Sequence, residues 1–246
     1  MDKNTVLYVI AAVLFGFIGG FLLANSMNRS EMTALRAQAA QTDSAKPATP
    51  ANTGDPSEPS LSDAEIKAKI ADADKNATDF QFQKDLGTSL YKYAAMKQQP
   101  DLLPDTIRIL QRADLLNGKD ADVLTALGNA HFDVGFQKKD AAEFDKAREI
   151  YARALAIRPS DSDVETDAAI SWLVQPQPDY AKAAAGLEKV IASDPKHTRA
   201  MQFLAQAYIK LNRPADAQKV VDKIKAIDPT DSSISELTSQ IAALQK

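Results

Sequence analysis

TRAMQFLAQAYIKLNRPADAQKVVDKIKAIDPTD, residues 198–231, decides the fold. Its large and small apolar residues recur three and four positions apart, the spacing of one face of an α-helix. The pattern breaks at Asn212-Arg213-Pro214 and resumes through Ile227, so the stretch reads as two helices joined by a turn. The first helix carries the large–small pair Leu204-Ala205 and then Tyr208. The second carries Ala217, Val221 and Ile224, and Pro229 closes the unit.

The same phrase recurs upstream. AIRPSD, ASDPKH and AIDPTD place prolines at Pro159, Pro195 and Pro229, and LNGKD places Gly118 in the equivalent spot, at intervals of 41, 36 and 34 residues. The large–small pair returns as Leu86-Gly87, Leu127-Gly128 and Ala168-Ala169, followed three positions on by Leu90, His131 and Trp172. In the second helices a small residue recurs at Thr106, Ala147 and Ala183, and bulky ones at Leu110, Tyr151 and Leu187, then Ala113, Ala154 and Val190. A fixed period of this length marks repeated supersecondary units. Each small residue of a first helix is expected to face the small residue of its partner, with the large ones filling the seam. The first two units are longer by about seven residues, expected between their helices, and the third by about two at Gln175–Pro178.

This pattern resembles the tetratricopeptide repeat over residues 77–231. The resemblance implies an all-α fold, a right-handed α-solenoid of about four helix pairs with capping helices. The units fall at about 77–118, 119–159, 160–195 and 196–229, with a capping helix at 231–245 and another near 62–75. Ser62/Glu65, Ser162/Glu165 and Ser233/Glu236 have the spacing of capping boxes.

The residues before the repeats differ in kind. Residues 5–24, TVLYVIAAVLFGFIGGFLLA, hold no charge, and 20 helical residues span roughly 30 Å, the thickness of a bilayer core. Residues 1–28 are therefore expected to be a transmembrane anchor; the rival reading is a signal peptide cleaved near Ala24-Asn25-Ser26. Ala12, Gly16, Gly20 and Ala24 would share one face, the small-residue spacing through which such helices self-associate, although Gly and Ala are common in membrane helices anyway. Residues 29–60 form a Pro/Ala/Thr-rich linker. From 38 to 60 they contain no Val, Ile, Leu, Met or aromatic residue, too little apolar surface to offset ordering. The repeat domain is 61–246.

Chemistry is excluded by composition. The chain has no Cys, which removes thiolate nucleophiles and Cys-ligated metals. Its net charge is −4, with no basic excess in either part, so nucleic acid is not expected as a partner. No phosphate loop, His-Glu-x-x-His or Gly-x-Ser-x-Gly occurs, and neither an enzyme activity nor a cofactor or metal is expected. His131 and Trp172 fall at packing positions and read as core, His197 reads as a solvated turn residue, and the run from Asp140 to Glu149 as a solvated helix face.

The function left is binding. In the family that the chain resembles, a peptide lies on the concave face lined by the first helix of each pair. Carried onto this sequence, the groove positions are Lys84, Thr88, Tyr91 and Lys92; Asp122, Thr125, Asn129, Phe132 and Asp133; Thr166, Ile170 and Leu173; and Arg199, Gln202, Gln206, Ile209 and Lys210. Basic ends flank an acidic and apolar middle, which suits a mixed-charge peptide with an apolar anchor. The carboxylate clamp of chaperone-tail binders is not matched, because Thr88 stands where that clamp has Asn. Anchor, linker and repeats together resemble bacterial membrane-anchored tetratricopeptide proteins of cytochrome c biogenesis and envelope assembly. The resemblance implies a single-pass protein of the bacterial inner membrane, repeats outside the cytoplasm, acting as an adaptor for a protein or peptide partner. The alternative is a structural subunit of a membrane complex or a homo-oligomer.

Overall fold

The computed structural model describes residues 62–245, which form ten α-helices and one 3-10 turn and, among the described residues, no strand. The helices are α1 (Asp63–Lys75), α2 (Phe80–Lys97), α3 (Leu103–Leu116), α4 (Ala121–Lys138), α5 (Ala141–Ile157), α6 (Ser162–Val174), α7 (Tyr180–Ser193), α8 (Thr198–Lys210), α9 (Pro214–Ile227) and α10 (Ser233–Leu244). They pair as α2–α3, α4–α5, α6–α7 and α8–α9. Each pair packs on the next, both through its second helix and through contact of first helix with first helix. The helix packings of any extent join only neighbouring pairs, which makes the described chain a solenoid. The expected anchor, its small-residue face and the linker lie outside the described residues; no described helix is long and apolar enough to cross a membrane.

One core runs the length of the stack. It holds Leu110, Leu124, Phe144, Tyr151, Ile170, Leu187, Met201, Phe203, Ile224, Leu237 and Ile241, each 2% exposed or less. Burying side chains of this size contributes roughly 1.5–3 kcal/mol apiece, against the entropy of ordering them. A smaller cluster of Ile66, Ala73, Leu90 and Ile109 seats α1 on the first pair, while α10 closes the other end through Leu237 and Ile241.

The close approach of paired helices works differently from the expected small-on-small contact. A Cβ on Gly87 would lie 2.7 Å from Leu110 Cδ2, and one on Gly128 2.6 Å from the Tyr151 ring. The glycine makes room for the bulky residue of the second helix, not for Thr106 or Ala147, both of which are fully buried elsewhere in the seam. The third pair distributes the space otherwise. Its first helix has Ala169, and the glycine sits in the second, where a Cβ on Gly186 would lie 2.8 Å from Ala169 Cβ.

The extra residues of the second unit are also not between its helices. They lengthen them: α4 and α5 have 18 and 17 residues against 13 and 14 for α8 and α9, and only Lys139 and Asp140 separate them. The apolar face simply continues, with Gly135 fitted against Phe144 and Glu143. In the first unit α2 is lengthened too, and the rest of its surplus is the turn at Pro100–Leu102.

Three first helices end alike, on a left-handed residue: Gln98, Lys139 and Asn212, with φ of 53°, 52° and 55°. The next amide then reaches back five residues, Gln99 to Ala94, Asp140 to Gly135 and Arg213 to Tyr208, at 2.8–3.0 Å. The third unit cannot do this. Gln175 precedes Pro176, whose ring pushes the preceding residue to extended backbone, and Gln175 has φ −63° and ψ 162°.

Of the three expected capping boxes only Ser62/Glu65 forms. At α6 the cap is Asp161, whose side chain accepts from Val164 N, and Ser162 is already helical. At α10 Asp231 accepts from the amide and hydroxyl of Ser233. In both places an aspartate one or two residues earlier outcompetes the serine.

Candidate functional site

The first helices stand side by side, and α2, α4, α6 and α8 with the turns after α5, α7 and α9 enclose a groove of about 1020 Å³. Nine of the residues carried over from the sequence line it: Lys84, Thr88, Tyr91, Lys92, Asp122, Thr125, Asn129, Arg199 and Gln202. The other eight do not. Phe132, Thr166, Ile170, Leu173 and Ile209 are buried in the packing, as apolar side chains and a self-bonded threonine would be. Thr166 Oγ1 donates to Ser162 O at 2.7 Å. Asp133 and Gln206 are half-buried and Lys210 exposed, all outside the lining. On α6 the groove stripe is instead Asp163, Val164 and Asp167.

The sequence reading also missed the turns. Arg158, Asp161, Lys196, His197, Asp228, Thr230, Asp231 and Ser232 all face the groove. All but Ser232 belong to the very phrases, AIRPSD, ASDPKH and AIDPTD, that mark the repeat. A turn repeated once per unit must return to the same edge of the stack, and that regularity was the available signal.

The lining is strongly ionic and largely self-paired. Lys84 Nζ lies 2.6 Å from Asp120 Oδ2 and 3.1 Å from Asp122 Oδ2, and Arg158 pairs with the other oxygen of Asp122. The Asp120 contact, foremost, holds the Lys84 ammonium above its ordinary pKa. Burial works to raise Asp122, but Arg158 and Lys84 together bring it below the usual carboxylate range. Arg199 pairs with Asp167, and His197 Nε2 stands 3.2 Å from Asp163 Oδ1. The His197 contact holds the Asp163 carboxyl low. His197 also caps α8, its Nδ1 accepting from Ala200 N at 3.3 Å, so it is a structural residue rather than a solvated one.

Deeper, Tyr91 donates to Asp133 Oδ2 at 3.1 Å and Tyr151 to Asn129 Oδ1 at 2.7 Å. Asp133 has no ion pair among the described residues; burial pushes its carboxyl up to about 7, and pushes the Tyr91 and Tyr151 hydroxyls well above their usual range. Asp167 is likewise raised by burial in spite of Arg199. Among the described residues four buried side-chain atoms find no partner, and three belong to the lining: Thr125 Oγ1, Arg199 Nε and Gln202 Oε1.

The other singled-out residues lie outside the groove lining. His131, 5% exposed, lies with Nδ1 2.6 Å from Glu143 Oε2, and Glu143 also binds Lys146. Trp172 is half-buried between cations, with Arg148 Cζ 3.7 Å and Lys182 Nζ 4.3 Å from its ring centroid. The run from Asp140 to Glu149 is thus only in part a solvated face, since Glu143 and Arg148 turn inward to these partners. No group of His and acidic residues suited to a metal ion occurs among the described residues.

Helix pairs of this construction define a class of repeat proteins. Residues 177–241 match the family model of the tetratricopeptide repeat. The fold is similar to the crystal structure of MamA, at 21% identity and a TM-score of 0.55 over 69% of this chain and 90% of that one. It is similar also to TTC0263, a tetratricopeptide-repeat protein of Thermus thermophilus, at 16% identity and a TM-score of 0.52 over 74% and 90% of the two chains. A third likeness is to the C-terminal part of a repeat-containing protein from Cytophaga hutchinsonii, at 19% identity and a TM-score of 0.54 over 70% and 65%. At such identities the likeness is one of fold. No curated protein matches the sequence. Stacks of this kind present extended concave surfaces, which follow from the small rotation of each repeat on the last.

Proposed function

We propose that this chain is a membrane-tethered adaptor that holds an extended segment of a protein partner in the groove across α2, α4, α6 and α8, supporting assembly or biogenesis of an envelope complex. The observation that carries the reading is the groove: about 1020 Å³, continuous over four repeats, with unpartnered polar atoms in its lining. A groove of this length accommodates an extended chain better than a compact molecule. The tether is the uncharged run 5–24 and the linker after it, and on this reading the repeats lie on the extracytoplasmic side of a bacterial inner membrane. The small-residue stripe Ala12, Gly16, Gly20 and Ala24 offers a second contact, between anchors.

A second reading, a subunit that binds copies of itself or a fixed complex, draws on apolar side chains left in water where second helices end. These are Leu115 at 87% exposure, with Leu116, Ile157 and Ile227. A photoreactive residue at Lys92, in the groove, and another at Glu149, on exposed α5, separate the two in the native membrane. Cross-links of Lys92 alone to one foreign protein are the expected result. Cross-links of both sites to this chain only would replace the adaptor reading by the subunit one.

A further inference from the structure

Two residues one turn apart on α8 line the groove with a bonding valence unspent. Gln202 is 7% exposed; its Nε2 donates to Asp231 Oδ2 at 2.8 Å, which fixes the amide and leaves Oε1 without a donor. Arg199 is tied by Nη2 to Asp167, and its Nε–H has no acceptor. Residues three apart on a helix are surface neighbours, so one acceptor and one donor lie side by side, each held from behind by a carboxylate of another element. A buried polar group left unpaired is unfavourable, and both side chains line the groove, so that is where a partner can approach once a small shift of the two side chains, with their carboxylate bonds kept, uncovers these atoms.

An extended polypeptide carries the matching pair. The N–H and C=O of one residue point to the same side, which is why opposed residues of an antiparallel ladder exchange two hydrogen bonds. We propose that α8 is the station at which the groove reads a ligand's main chain. One residue of an extended segment donates its N–H to Gln202 Oε1 and accepts at its C=O from Arg199 Nε. The inference rests on the groove being the binding face and adds the chemistry of what is bound there. The neighbouring charges support the choice of a neutral group. Arg199 is already paired with Asp167, so a charged group seated at this station would have to break an existing pair. A main-chain amide breaks none. The residue seated over α8 is therefore any amino acid except proline, which has no N–H to give.

The test uses the full chain in detergent micelles and three capped decapeptides: one of alternating Ser and Ala, one of proline alone, and one of alternating Glu and Lys. Binding is followed by the side-chain amide resonance of Gln202 and by titration. The expected result is that the Ser-Ala peptide moves this resonance, binds at least tenfold more tightly than the proline peptide, and changes affinity less than twofold between 50 and 300 mM salt. Gln202→Met, which keeps the length of the side chain and removes the acceptor together with the donor to Asp231, is expected to weaken it five- to twentyfold. Equal binding of the proline peptide to the unaltered chain would overturn the proposal, and that comparison needs no variant to fold. Binding of the Glu-Lys peptide with the Gln202 resonance unmoved would overturn main-chain reading while leaving the groove as the binding face. Failure of all three peptides to bind would overturn both.

Discussion

Asp133 shows how one side chain can set a pH dependence for the whole fold. It stands in the floor beneath the groove, its carboxylate accepting only from Tyr91 among the bonds formed there, with the like-charged Asp167 beyond and Arg199 already engaged by Asp167. Burial raises its pKa to about 7 from an ordinary 3.8, so between these values the folded chain holds a proton that the unfolded chain has lost. The stabilising effect of that proton is fully present below pH 3.8 and is lost as pH rises through about 7. Asp133→Asn, which keeps an acceptor for Tyr91 and removes the ionisation, should flatten this slope. The variant is expected to match the parent near pH 4 and to be more stable at pH 8 by up to about 4 kcal/mol. Urea unfolding at the two pH values measures it; a variant no more stable than the parent at pH 8 would show that Asp133 is ionised without cost. The sequence named Asp133 as a groove position but held no sign of its raised pKa, which comes from burial together with the charge of Asp167 on α6.

The helices themselves were readable because their signals are local: period, Pro, and the large–small pairs need no knowledge of neighbours. The ends were less so, since several side chains compete for the same free amides. At Asp161-Ser162 the Ser-x-x-Glu spacing pointed to the serine, yet the aspartate before it takes the amide of Val164 and the helix starts one residue earlier in register. The two are separable by experiment. Asp161→Ala should cost about 1 kcal/mol, the usual loss on removing such a cap, whereas Ser162→Ala at a first helical position should cost a few tenths or less. Chemical denaturation of both variants decides it, and a larger loss for the serine variant would restore the capping box. The groove stripe on α6 was misread in a similar way. Transferring the family's positions put Thr166, Ile170 and Leu173 on the open face, but burial of their apolar bulk is the stronger term, and it turns Asp163 and Asp167 outward instead.

At the scale of the whole molecule, the stack has no contact of any extent that skips a pair, so stability should be distributed along it and not shared equally. The period of the sequence conveyed this much, because self-similar units that cannot bury their own faces must stack. What it could not convey was which surface the stack would turn toward a ligand, for that depends on the turns converging from three different repeats. The same one-dimensional logic makes the end helix a test. α10 covers the last pair with Leu237 and Ile241, both 2% exposed, and holds Gln202 from behind through Asp231 at its start. Ending the chain after Asp231 exposes the apolar faces of α8 and α9 while leaving α2 to α5 untouched. Hydrogen exchange is expected to accelerate ten- to a hundredfold in α8 and α9, corresponding to roughly 1.4–2.8 kcal/mol of lost local stability, and to change little in α2 to α5. Uniform acceleration in every helix would mean instead that the four pairs unfold as one cooperative unit, and that the order of contacts along the stack does not set its order of unfolding.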